Sequence, residues 1–161
     1  MPPECSRGVI LISNWFSTFR SQLRSTGHLP MRKDIKIPQV KDVYVAAVRE
    51  FNKDFRTHDW NVYIINDGQE PLETVLIVSE GRDDKDTTSR MRHSLQLLPA
   101  KGYAKIEFME DSVLKLNNFF SVTYFMGDTL YDKQFELPAN SVMEDNAVAL
   151  PVMLDKGVLA R

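Results

Sequence analysis

The sequence predicts an all-β fold, an immunoglobulin-like antiparallel β-sandwich of about seven strands. Three observations carry that expectation. Apolar residues from Ile35 to Leu137 recur mostly with period two, the period of strands. Clusters of Asn, Asp, Gly and Pro interrupt them at roughly ten- to fifteen-residue intervals. No long helical segment lies between the clusters, so the crossover helices of a parallel sheet have no room.

The elements follow in order. Ile35 to Pro38 reads as a short edge element, because Pro38 has no N–H to donate to a ladder. Val43-Tyr44-Val45-Ala46-Ala47-Val48 reads as a strand on its β-branched content. A helix through 39–54 is the alternative, since Ala46 to Phe51 also suits one. Asn52 to Asp59 is a polar connection. Trp60, Val62 and Ile64 then alternate against Asn61, Tyr63 and Ile65. Asn66-Asp67-Gly68 turns the chain into the strand Glu73 to Ser79, as a hairpin or a sheet-to-sheet corner. Gly81 to Thr88 is a charged loop.

Arg90 to Leu98 alternates again, with Met91, His93, Leu95 and Leu97 against Arg90, Arg92, Ser94 and Gln96. Pro99 to Gly102 turns the chain. In Tyr103 to Met109, Ala104, Ile106 and Phe108 oppose Lys105 and Glu107. Glu110 to Asn117 suits one helical turn. Phe119 to Met126 and Thr129 to Leu137 flank Gly127-Asp128, a Gly-first hairpin signal. The aromatic core expected from this pattern is Trp60, Tyr63, Phe108, Phe120 and Tyr124.

Three regions result: an extension over 1–30, the sandwich over 31–140 and a C-terminal tail over 141–161. The extension carries three arginines against one acid, and apolar residues from Val9 to Leu23 near helical spacing. It reads as a loosely docked segment; a signal peptide or an amphipathic targeting helix are the other readings. Met31 begins a run that would serve as a protein start, and an alternative start there is expected. The tail holds Val148, Leu150, Val152 and Leu154, too apolar for disorder. It is expected to dock on the sandwich or on another subunit, with those four residues as an interaction surface.

The chain has 161 residues and a formal charge of −2, so no global basic field points to nucleic acid. The single Cys5 excludes an internal disulfide and fits a reducing, cytoplasmic setting. No apolar run reaches the roughly 18 residues that span a bilayer. His28, His58 and His93 lack metal-ligand spacing, and no phosphate loop or nucleophile elbow occurs. No cofactor or metal is expected.

Few residues suggest chemistry. Arg90 and Arg92 share a strand face and would clamp an anion, aided by Lys101 and Lys105. The same arginines also suit a wet edge strand. His93 lies opposite, where a lone histidine is more often satisfied by packing than catalytic. His58-Asp59 has the residue types of a base and its orienter, but neighbours on a loop point apart. The charge run Gly81 to Thr88 lacks calcium-loop spacing, is partly neutralised by Arg82 and Lys85, and reads as a solvated loop.

From about Lys33 onward the chain resembles a family of small, uncharacterised bacterial proteins. The resemblance rests on Ile37-Pro38, Val43 to Ala46, Trp60 to Asn66, Leu72 to Val75, Met91-Arg92-His93, Pro151 to Met153 and Lys156 to Leu159. Members are often labelled phenylalanine–tRNA ligase alpha subunit, which implies a synthetase. The ATP-gripping Arg motif and the Gly-rich motif ending in Arg of a class II core are absent; Phe19-Arg20-Ser21-Gln22 lacks an acidic partner. The chain is also short for that catalytic domain.

The expected function is a non-enzymatic binding or assembly module. It would act through sheet edges and the tail, on a protein partner or by self-association. An RNA- or anion-binding accessory protein is the first alternative, and a synthetase-like enzyme the second.

Overall fold

The computed structural model describes residues 38–161. The extension, the expected start at Met31 and the Ile35–Ile37 part of the edge element lie outside the described residues. The described chain forms nine strands in two antiparallel sheets packed face to face. One sheet runs β5 (Gly102–Met109), β2 (Thr57–Asn66), β1 (Val43–Asn52), β9 (Lys156–Leu159), β8 (Val148–Ala149). The other runs β4 (Met91–Leu98), β3 (Leu72–Arg82), β6 (Asn117–Met126), β7 (Thr129–Leu137). The seven long strands match the all-β sandwich expected from sequence, and two short ones come from the tail.

Strand β1 settles the strand-or-helix alternative. Val43, Val45 and Ala47 face the inter-sheet core, while Ala46 and Val48 belong to a second cluster on the sheet's outer side. Strand β2 divides the same way: Trp60, Val62 and Ile64 inward, Tyr63 and Ile65 outward. Both strands are apolar on both faces because both faces are covered. That double burial made the β1 run compatible with either period.

The cover on the outer face is the tail. Strand β9 pairs with β1, and Leu150 and Met153 pack on Ala46, Val48, Tyr63 and Ile65. Burying two such side chains stabilises by about 1.5–3 kcal/mol each. Between them the chain makes a three-residue turn, closed by Met153 N–H donating to the Pro151 carbonyl at 2.7 Å. Val152 at its centre has φ 67°, a strained value for a β-branched residue. Burial on either side offsets that strain. The docking expected of the tail is therefore intramolecular. Leu150 is buried, which removes it from the expected interaction surface; Val152 is half-buried, and only Val148 and Leu154 of the four are exposed. The tail's buried apolar residues, Leu150 and Met153, cover their own sheet.

Asn66 makes the corner between the sheets. Its side chain is fully buried and its Nδ2 donates to the carbonyls of Glu70 at 2.9 Å and Pro99 at 3.0 Å. Its Oδ1 accepts from the Gly68 N–H at 3.0 Å. One amide thus fastens the β2–β3 and β4–β5 crossovers together. Gly127 opens the β6–β7 hairpin with φ 57°, as the Gly-first signal requires. A 3₁₀ turn at Val113–Lys115 stands where one helical turn is expected.

Two irregularities break the period-two pattern. Thr74 has φ 49°, and the β3–β6 register shifts between Glu73 and Leu76. Leu72 and Val75, three apart, consequently both face the core, and Leu98 replaces Leu97 as the buried partner on β4. On β5, the register with β2 shifts by one residue between Lys105 and Glu107. This bulge turns Glu107 inward and Phe108 outward. Phe108 is 52% exposed, so its expected place in the core is corrected.

Candidate functional site

The two sheets do not close along the margin formed by edge strands β4 and β5. A cleft of about 800 Å³ opens there. Its apolar wall includes Met91, Ile106, Val113 and Phe120, and its polar wall includes Ser79, His93 and Glu107.

Glu107 is the centre of the polar wall. The β5 bulge aims it between the sheets, where its Oε2 accepts from Ser79 Oγ at 2.7 Å and sits 2.8 Å from His93 Nε2. Ser79 is 4% exposed and His93 half-buried. Three strands, β3, β4 and β5, meet in this trio. The serine is bonded to the carboxylate and not to the imidazole, so the trio lacks the nucleophile–base order of a hydrolase. Its chemistry is that of a fixed acceptor at the cleft mouth, with a donor on either side.

His93, which the sequence reads as satisfied in the core, is instead half-buried at the cleft, with Glu107 as its partner. Sequence reasoning placed Glu107 on the solvent side and overlooked Ser79. The bulge has no local signature in Tyr103 to Met109, which alternates without a Gly or Pro.

The four cations expected to gather around an anion stand apart. Arg90 precedes β4 and pairs with Glu80 at 3.2 Å. Arg92 lies on the outer face of its sheet opposite Val78. Lys101, in the β4–β5 turn, pairs with Asp67 at 2.6 Å. Lys105 lies on the outer face of the other sheet, opposite Tyr63. Arg90 and Lys101 are already ion-paired, and Arg92 and Lys105 are on opposite faces of the sandwich.

Lys105 stands instead beside a second polar group. Glu50 accepts from Asn61 Nδ2 at 2.5 Å and Tyr63 Oη at 2.7 Å, and Asp59 from Asn52 Nδ2 and Thr57 Oγ1, each at 2.8 Å. These bonds from Asn52 and Thr57, and the nearby Lys105 charge, hold the Asp59 carboxyl below its usual range. Burial, and then the bond to Glu50, push the Tyr63 phenol well above its ordinary value. His58 points away from Asp59 and packs on Phe51, ring centroids 5.2 Å apart, so that pair forms no base.

Among the described residues no group of three or more His, Cys, Asp or Glu is placed to hold a metal. Among them, too, no helix is long and apolar enough to cross a membrane. No protein-family model matches the chain, and no curated protein matches it.

Proposed function

We propose that the protein is a non-enzymatic binding module that takes an extended segment of a partner protein along β4, its side chains seated in the cleft. One observation carries the reading: the 800 Å³ cleft lies beside a strand whose outer edge has no β partner among the described residues. An edge strand presents a row of free N–H and C=O groups, and an added strand satisfies them while its alternate side chains turn into the cleft. The cleft is apolar at its floor and carries Glu80, Glu107 and Glu110 on its walls. The chemistry it suits is an extended segment of alternating apolar residues with a basic residue beside them.

The strand order supports the immunoglobulin-like reading of the sandwich. Strands β1, β2 and β5 correspond to the A, B and E positions, and β4, β3, β6 and β7 to C′, C, F and G. A cytoplasmic setting rests on the lone Cys5. The resemblance to the small bacterial family sits with this reading better than with its ligase label, because that label's ATP motifs are missing from the sequence.

The test is a titration of the isotopically labelled full chain with a synthetic peptide of alternating Val and Thr flanked by Lys. Amide shifts clustered on β4 and around Glu107 are expected, and backbone N-methylation of the peptide abolishes them. Shifts elsewhere, indifference to N-methylation, or light scattering that shows β4 already covered by a second copy of the chain would overturn the proposal.

A further inference from the structure

The outer face of the β1–β2–β5 sheet has a second hollow, which shares Phe108 with the cleft. Beyond the area covered by the tail lies a polar hollow of about 330 Å³. Three neighbouring strands furnish it: Glu50 and Asn52 from β1, Asp59 and Asn61 from β2, Lys105 and Phe108 from β5. The β5 bulge sets Lys105 and Phe108, three residues apart, on the same outer side.

The polar groups are held in place before any ligand arrives. Glu50 and Asp59 each accept two hydrogen bonds from within the protein, so their orientations are fixed while each oxygen keeps a further lone pair. Asn61 is 5% exposed, yet among the described residues it bonds only through Nδ2, leaving Oδ1 without a donor. Lys105 makes no ion pair among the described residues. Beside them, the ring of Phe108 is half exposed.

We infer that this hollow binds a neutral carbohydrate ring. The unused groups are acceptors on Glu50, Asp59 and Asn61 and a donor on Lys105, within one small space. A hydroxyl is both donor and acceptor, so a ring of vicinal hydroxyls satisfies both kinds along one edge. Its flat C–H face is apolar and matches the exposed Phe108 ring. An anion meets two carboxylates there, and a cation meets the Lys105 ammonium.

Nuclear magnetic resonance titration of the labelled full chain tests this, with glucose, galactose, mannose, N-acetylglucosamine and their disaccharides. Sodium phosphate and tetramethylammonium chloride are the charged controls. At least one sugar is expected to give saturable shifts at the Asn61, Lys105 and Phe108 amides, with a Kd of about 1 mM. Asp59→Ala, at a half-buried position, and Lys105→Ala, at an exposed one, are expected to weaken binding at least about tenfold without lowering the melting temperature by more than a few degrees. Absence of shifts with every sugar, equal shifts with either charged control, or unchanged binding by both variants would overturn the inference.

Discussion

His93 on β4 and Glu107 on β5 meet at 2.8 Å across the open margin of the sandwich, joining the edge strands of two different sheets. The same carboxylate oxygen holds the buried Ser79 hydroxyl, so one acid fixes both walls of the cleft. Removing it leaves a buried hydroxyl without its acceptor, which costs about 1–3 kcal/mol. Glu107→Ala is therefore expected to destabilise the protein by about 2 kcal/mol in urea unfolding. The double variant with Ser79→Ala should cost less than the sum of the two single changes, because the orphaned group is then gone. Additive costs would show that the two side chains act independently.

Tyr124 offers the opposite case. It lies in the core at 1% exposure, stacked on Tyr131 with ring centroids 5.2 Å apart, and among the described residues its hydroxyl has no partner. Burial pushes its phenol up to about 12. Tyr124→Phe keeps the stacked ring and removes the unsatisfied oxygen, and so is expected to raise stability by about 1 kcal/mol. Thermal melting measures it, and a lower midpoint would reveal a bonded hydroxyl.

Gly157 sets the fit of the tail. A Cβ there would stand 2.6 Å from the Ala47 carbonyl oxygen and 2.9 Å from Leu150 Cδ1. Backbone does not yield at that distance, so Gly157→Ala must push β9 off β1. The expected loss is about 3 kcal/mol, with Ala46, Val48 and Ile65 newly exposed. Dye binding to apolar surface, and aggregation on mild heating, should rise together.

Two carboxyls contribute on the acid side, the exposed Asp83 and the half-buried Asp59. Asp83 lies below its usual range because the Asp86 and then the Lys85 backbone N–H donate to it, and Asp59 because of Asn52 and then Thr57. Each has a folded pKa depressed below the ordinary aspartate value. Each therefore contributes stability that is fully present above that value and lost as pH falls through the lower folded one. Stability should drop below about pH 4, and Asp59→Asn should flatten part of that drop in acid titrations followed by circular dichroism.

Much of the fold was legible because the strands obey two simple rules. Asn66-Asp67-Gly68 and Gly127-Asp128 mark turns by backbone chemistry that acts locally, and both turn the chain as expected. The rings of Phe119-Phe120 and Tyr124-Phe125 fall on opposite faces because nothing disturbs β6. The candidate site was not legible, because it depends on where alternation fails. Reading Tyr103 to Met109 with unbroken period two sends Glu107 to solvent and Phe108 to the core. A single bulge reverses both, and it is set by pairing with β2, some forty residues away. The cations were misjudged for a related reason: Lys101 and Lys105 are near in sequence but fall on a turn and an outer face.

The segment that ends the described chain crosses between the sheets. Strand β9 lies on β1, the Ala160 N–H donates to the Val45 carbonyl, and Arg161 exchanges two main-chain bonds with Glu136 of β7, at 2.9 and 3.0 Å. The sandwich is thus bound like a book, with a stitched spine at β7 and β9 and a fore-edge at β4 and β5 held by one side-chain clasp. The cleft between these sheets is entered past His93 and Glu107, and the main-chain bonds of the spine limit how far the covers can part there.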